Sequence, residues 1–279
     1  MRKHAKVKEN GPGHWRIPQL AASDSKYTRG HVLVLGGAEM TGAARLAALA
    51  AQRAGAGLVT IAATPASWPV YAASMLSVIA RTCTASQWTK LVADRRIDPV
   101  LIGPGAGVNA RTKQAMLTAA KAGRQLVLDA DALSLLATDA ALRRTLHGTP
   151  MILTPHEGEY ARLAKALKLD GQAEKSLRAR DLATALQAVV VLKGSDTYIA
   201  DAKGSVLVSH PPAWLATGGT GDVLAGIIGA LVGQGMERFA AASAGVWLHA
   251  EAARGFGPGM IAEDVIGAVP GILKRLQTQ

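Results

Sequence analysis

Short apolar runs recur along this chain, each separated from the next by a helix-like stretch, and that alternation limits the folds open to it more than any other feature. Residues 31–35 (HVLVL), 58–62, 100–102, 125–129, 151–153 and 189–192 read as strands apolar on both faces. Residues 42–53, a stretch near 111–122 and residues 156–167 read as helices between them. Strands that alternate with helices, and that carry no polar face of their own, pair in parallel and are covered on both sides. Residues 197–201 and 205–209, joined through 202–204, read instead as an antiparallel hairpin at the sheet edge. An α/β fold of three layers follows, with a mostly parallel central sheet, helices on both faces and an edge hairpin. Nothing resembles a linker or a fixed-period repeat, so one domain is expected.

Composition agrees with that architecture. Hydrophobic residues make up 49% of the 279 and aromatics only 4%, so alanine, glycine, leucine and valine must do the packing, as they do where helices lie close on a sheet. Cys83 is the single cysteine, which rules out an intrachain disulfide and makes a reducing, cytoplasmic setting the expectation. The formal charge of +11 is partly local, because residues 1–30 hold seven Lys/Arg against two Asp/Glu. No zinc-finger spacing, helix-turn-helix pattern or basic-aromatic interleaving accompanies it, so the charge is read as attraction for anionic nucleotides and not as nucleic-acid binding. The basic N-terminus lacks the apolar core of a secretory signal, and charged residues break every apolar run short of a membrane span.

The chemistry concentrates in residues 216–226, ATGGTGDVLAG. Glycines and threonines at 217–221 give a backbone that can approach an anion closely, and Val223, Leu224, Ile227, Ile228, Leu231 and Val232 then repeat at helical spacing. The loop therefore opens onto a helix N-terminus. The amides of Gly219, Thr220 and Gly221 are placed to hold a phosphate or oxyanion, with Asp222 beside them as general base or as an ordinary first-turn acid. Gly226, Gly229 and Gly233 continue down the same helix, where each costs about 1 kcal/mol against alanine. Such a cost is intelligible if the helix packs very closely.

Five strands end in polar or glycine residues, which in an open α/β sheet marks the ligand rim. Gly36 and Gly37 follow the first, Gly103, Gly105 and Gly107 the third, Asp129 and Asp131 the fourth, His156 the fifth, and Lys193 and Gly194 the sixth. Neither GxGxxG nor GxxxxGK[ST] occurs, so the dinucleotide fingerprint and the P-loop are excluded. Asp129 and Asp131 read first as caps of a short helix starting near Ala132, and Lys193 as a strand-end charge or a ligand contact. His156 and Glu159 either share a helix face able to hold hydrated Mg²⁺ or a polar substrate group, or Glu159 is a plain N-terminal helix acid. His249, inside an apolar helix, reads as structural.

Taken together, HVLVLGGAEMTGAARLAALAAQRAGAGLVTIAA, IGPGAGVNART, LVLDADALSLLA, LTPHEGEYARL, VVLKGSDTYIAD and ATGGTGDVLAGIIGALVGQG resemble the ribokinase-like superfamily. Within it they look most like the carbohydrate-kinase-like, ADP-dependent NAD(P)H-hydrate dehydratases. The resemblance runs from about residue 26 onward, giving a basic arm at 1–25 and a ribokinase-like domain at 26–279. It implies repair of NADHX and NADPHX, hydrated forms of the reduced nicotinamide cofactors: S-epimer hydrate and ADP yield NADH or NADPH, AMP and phosphate, with Mg²⁺ on the phosphates. ATP replaces ADP in eukaryotic members.

By the same resemblance Ala43, Gly105, Gly107, His156 and Asp222 contact the hydrated nucleotide. Lys193, Gly194, Ser195, Asp196, Thr197 and Gly221 hold ADP or AMP, Gly219, Thr220 and Gly221 form the anion hole, and Glu159 acts on the metal through water. Asp222 is the base. The resemblance also implies a homo-oligomer, often a tetramer, and a separate epimerase, since no room for an epimerase precedes the domain. Met40, Ala44 and residues 212–215 depart from the usual motifs, which bears on the substrate lip. The rival readings are an ATP-dependent small-molecule kinase of the same superfamily and a nucleotide-binding protein without turnover.

Overall fold

The structure is a computed structural model, and it describes residues 7–277. Ten strands join in one sheet: β1 (Lys8–Glu9), β2 (His31–Leu35), β3 (Leu58–Ala63), β4 (Ile79–Thr82), β5 (Ile97–Ile102), β6 (Leu126–Leu128), β7 (Met151–Leu153), β8 (Val189–Leu192), β9 (Thr197–Ala200) and β10 (Val206–Ser209). Their spatial order is β1-β10-β9-β8-β7-β6-β5-β2-β3-β4. Every pairing is parallel except the two that β9 makes, with β8 and β10. The expected edge hairpin is therefore present, one strand in from the edge, because β1 lies outside it in register with Leu207 and Val208.

Side chains alternate across the sheet, and each face finds its own cover. Val32, Val34, Val59, Ile61 and Val191 belong to one core with α1 (Thr41–Arg53), α2 (Trp68–Ser74), α9 (Thr220–Gly233), α10 (Arg238–Phe256) and α11 (Ala262–Gln277). Leu33, Leu35, Val100, Ile102 and Leu192 belong to the other. That side is covered by α3 (Ala85–Ala93), α4 (Ala110–Lys121), α5 (Asp131–Thr138), α6 (Ala140–Leu146), α7 (Glu157–Leu167) and α8 (Lys175–Leu186). A strand buried on both faces gains about 1.5–3 kcal/mol from each large aliphatic side chain, which is why these segments carry no polar alternation.

Helix α9 has Val223, Leu224, Ile227, Ile228, Leu231 and Val232 all buried, and its glycines answer the packing question. A methyl group on Gly226 would stand 2.1 Å from the Ala47 carbonyl oxygen, so α1 and α9 cross at backbone distance. The helix that opens from the glycine loop is thus clamped against α1.

Residues early in the chain are built into this body. Asn10 Nδ2 donates to the Ser243 carbonyl and to Ser209 Oγ, and Trp15, 6% exposed, meets Trp247 edge to face at 5.5 Å. The charge boundary near residue 25 is therefore not a packing boundary. At the opposite edge of the sheet, Trp68 Nε1 donates to the Ala80 carbonyl of β4 at 3.0 Å. Among the described residues no helix is long and apolar enough to cross a membrane.

Candidate active site

After β4 the chain returns to the other side of β2, so the strand order reverses between β2 and β5. Ligands of open α/β sheets sit in the crevice at such a point. Both loops there are tightly shaped. A methyl group on Gly37 would meet the Gly105 carbonyl oxygen at 1.5 Å, and Gly105 in turn abuts the Met40 carbonyl. Tyr71 OH donates to the Gly37 carbonyl, while Arg111 donates to the carbonyls of Gly36 and Ala62 at 2.9 and 3.0 Å. Burial pushes the Tyr71 phenol up to about 12, so it stays a donor. Ala43 lies buried in the first turn of α1, beside these loops.

The aspartates after β6 are not helix caps. Ala130, at φ +46°, bends the chain between them and sends the two carboxylates in different directions. Asp131 Oδ2 accepts the Gly107 N–H at 2.8 Å and so ties the β5 loop down. Asp129, 2% exposed, accepts from Thr154 Oγ1 at 2.8 Å and from Lys193 Nζ at 3.0 Å. Lys193 is therefore no solvated strand-end charge. Its ammonium stands over the glycine loop, 3.2 Å from where a methyl on Gly221 would be.

The glycine loop opens α9 as its sequence requires, with Gly219 at φ +88° before the first turn. Thr220 is committed elsewhere: its hydroxyl donates to the carbonyls of Leu215 and Thr217, and its N–H points at Thr217 O, 3.4 Å away. The amides of Gly221 and Asp222 have no intramolecular acceptor among the described residues, so they are the helix-start donors left for an anion. Burial raises the Asp222 carboxyl to about 7, helped by the negative charge of Asp129 and opposed by Lys193. A carboxyl poised there is suited to taking a proton at neutral pH.

His156 and Glu159 form a reciprocal cap rather than a shared ligand face. His156 Nδ1 accepts from the amides of Gly158 and Glu159, and Glu159 Oε2 accepts the His156 N–H at 2.9 Å. The imidazole remains on the rim, while Glu159 is buried. The turn at Lys193–Thr197 is closed by Thr197 Oγ1 with the Gly194 carbonyl, backed by Lys175 Nζ on the Lys193 carbonyl. Asp196 meets His210 Nδ1 at 2.7 Å, and Ser195 is exposed. Sequence reasoning placed Thr154 at the rim as a polar residue ending a strand without its Asp129 partner, and gave Tyr71 and Arg111 no part in the site. The one signal pointing to Asp129 and Asp131 was two acids at the end of a strand facing the rim. Among the described residues, no group of three His, Cys, Asp or Glu side chains could hold a metal by itself. Surface hollows of about 470 Å³ beside Trp68 and Arg81, at the β4 edge, and about 300 Å³ beside Arg29 and Gln234 are lined by none of Asp129, Lys193 and Asp222.

The site therefore sets a poised carboxylate at an amide-bearing helix start, facing a lysine across the carboxyl ends of a mostly parallel sheet. A ribokinase-like superfamily protein from Enterococcus faecalis has this fold, with a TM-score of 0.82 over 94% of this chain and 93% of its own at 23% identity. A sequence model described as NAD(P)H-hydrate dehydratase matches residues 32–262, and the chain belongs to that family.

Its relatives agree. The ADP-dependent (S)-NAD(P)H-hydrate dehydratase of Neisseria meningitidis is 36% identical, over 91% of this chain and 89% of that one. The ADP/ATP-dependent NAD(P)H-hydrate dehydratase of Bacillus subtilis, co-crystallized with ATP/Mg²⁺, superposes with a TM-score of 0.79 at 28% identity, over 97% and 99% of the two chains. The bifunctional NAD(P)H-hydrate repair enzyme Nnr of Moorella thermoacetica is 36% identical over 95% of this chain but only 53% of its own. The chain thus spans about half the length of its bifunctional relatives.

Proposed function

We propose that this chain dehydrates NADHX and NADPHX at the expense of ADP, with Asp222 as the base. The observation that carries the reading is the Asp222 carboxyl, raised to about 7 beside the unpartnered Gly221 amide and facing Lys193. Hydroxide is a poor leaving group. Asp222 takes the proton of the substrate's ring hydroxyl as its oxygen attacks the β-phosphorus of ADP, and the bond to the AMP oxygen breaks. The ring nitrogen's lone pair then expels phosphate from carbon, and loss of a proton from the neighbouring ring carbon restores the dihydropyridine. Water has been removed, and ADP has become AMP and phosphate.

Each neighbour has a place in this reading. Gly219 and Gly221 receive the transferring phosphoryl group, with the Asp222 amide in place of Thr220's. Lys193 offsets its charge, and the turn at Lys193–Thr197 holds the rest of the nucleotide. Ala43, Gly105, Gly107 and His156 line the substrate side. The acidic groups present fit an Mg²⁺ that rides on nucleotide phosphates with its water shell, since Glu159 is capped and Asp129 is paired. Bound there, the ion would neutralise phosphate charge, with Glu159 acting on it through water. A homo-oligomer and functional coupling to an epimerase that interconverts the two hydrates complete the proposal.

The test incubates the purified chain with NADHX, Mg²⁺ and either ADP or ATP while following the dihydronicotinamide absorbance. Its return with ADP supports the proposal. No return with either nucleotide sinks it, and a phosphorylated hydrate that accumulates without dihydronicotinamide makes the protein a kinase instead.

A further inference from the structure

Helix α10 is lined on its buried side by alanine, valine, leucine and glycine, with two polar exceptions, Ser243 and His249. His249, 8% exposed, lies on that buried side between Leu248 and Ala250. Its Nε2 lies 2.9 Å from the carbonyl oxygen of Thr220, on the first turn of α9. A carbonyl oxygen only accepts, so Nε2 carries the proton and the imidazole is the donor.

That carbonyl belongs to the peptide linking Thr220 to Gly221. In a trans peptide the C=O and N–H point in opposite directions, so a donor pulling on Thr220 O aims the Gly221 N–H out of the helix end. It also polarises that N–H, because hydrogen bonds at the two ends of one amide reinforce each other. The Thr220 side chain is already anchored through its hydroxyl to the carbonyls of Leu215 and Thr217. The bond from His249 holds the same residue from the opposite side, by its main chain.

We propose that His249 is a positioning residue for the anion-binding loop, its Nε2–H fixing the plane of the Thr220–Gly221 peptide so that the Gly221 amide meets the transferring phosphoryl group. Gly221's part in catalysis rests on the dehydratase reading above; the orientation of its amide does not. Burial, with Lys193 nearby, pushes the imidazole down to about 4, so the donor is neutral and unchanged across the working pH range.

Two measurements on the full chain test this. In the unaltered protein, long-range ¹H–¹⁵N spectra of His249 show the neutral Nε2–H tautomer across about pH 6 to 8; an Nδ1–H tautomer, or a titration inside that range, overturns the proposal. His249→Leu moves the Gly221 amide proton upfield and leaves Gly235, at the far end of α9, in place, while His249→Gln, which keeps a donor, restores much of the shift. An unmoved Gly221 resonance in a folded His249→Leu also overturns it. If the chain dehydrates NADHX, kcat falls about 10- to 100-fold in His249→Leu, less than loss of an anion-hole donor itself. Both KM values stay within about threefold and His249→Gln recovers most of kcat. Equal kcat in all three proteins, or a loss confined to KM, refutes the positioning role. A wild-type chain without dehydratase activity would sink the reading of function and leave the spectroscopic arms in force.

Discussion

The two halves of the rim are held by different physics. Around β2 and β5 the backbone is shaped by close glycine contacts and by donors on main-chain carbonyls: Tyr71 on Gly37, Arg111 on Gly36 and Ala62, with Asp131 accepting from Gly107. Around β6 to β8 and α9 the same rim is held by charge, with Asp129, Lys193 and Asp222 within reach of one another. On the proposed function the first half sets the shape that receives the substrate. The second then supplies a proton acceptor and a cation whose mutual balance sets reactivity. Substitutions in the first half should therefore appear in KM, and substitutions in the second in kcat.

Asp222→Asn offers the largest break. With Asp222 as the proposed base, its removal lowers kcat by about 10³-fold or more while nucleotide binding, followed by calorimetry, changes little. In the unaltered protein kcat/KM falls about tenfold per pH unit below about pH 7, where the carboxyl is protonated, and any residual activity of the Asn variant lacks that limb. The stability sign is opposite. Because the folded carboxyl holds its proton up to about 7 instead of 3.8, the group's contribution is greatest at acid pH and is lost as pH rises through that window. The Asn variant should melt a few degrees higher at neutral pH. A lower Tm would mean that Asp222 makes stabilising contacts not attributed to it here.

Asp129→Asn comes next. It leaves the Lys193 ammonium without its carboxylate at 3.0 Å, so about 2–4 kcal/mol of stability is lost along with most of kcat. Denaturant unfolding and steady-state kinetics on one preparation check both. Arg111→Ala should cost less: KM for the hydrated nucleotide rises about tenfold as the carbonyls of Gly36 and Ala62 lose their donor, with kcat nearly kept. If kcat falls as far as in Asp129→Asn, the division of the rim into shape and charge fails. The smallest effect belongs to Ala130→Gly, which relieves a φ of +46° and raises stability by about 0.5–1 kcal/mol without altering either kinetic constant.

How much of this was legible beforehand depended on range. Strands such as residues 31–35, 151–153 and 189–192 were readable because burial on both faces leaves an unbroken apolar run. β4 was not, since Ile79–Thr82 carries arginine and threonine on an exposed edge. Helix α8 was missed for a related reason, because KSLRARDLATAL is mostly polar. The glycine loop announced itself locally, through composition and the helix that follows. Asp129 did not, because its partner lies 64 positions away and only the closing of the sheet brings them together. His249 was read as structural for the same reason: its acceptor is 29 residues earlier, on another helix. A motif shows where a backbone can bend towards a ligand. The charges that make the bend reactive come from strands that no local pattern connects.

The indole of Trp68 has a consequence outside catalysis. An outermost strand with its carbonyls bare is a template onto which any passing chain can add, and self-templating of that kind ends in fibres. By occupying the Ala80 carbonyl, Trp68 removes one docking point from β4, and the polar residues Arg81 and Thr82 complete the deterrent. One indole bent back onto the outermost strand, with a cation and a hydroxyl beside it, thus makes that strand a poorer template for an added chain.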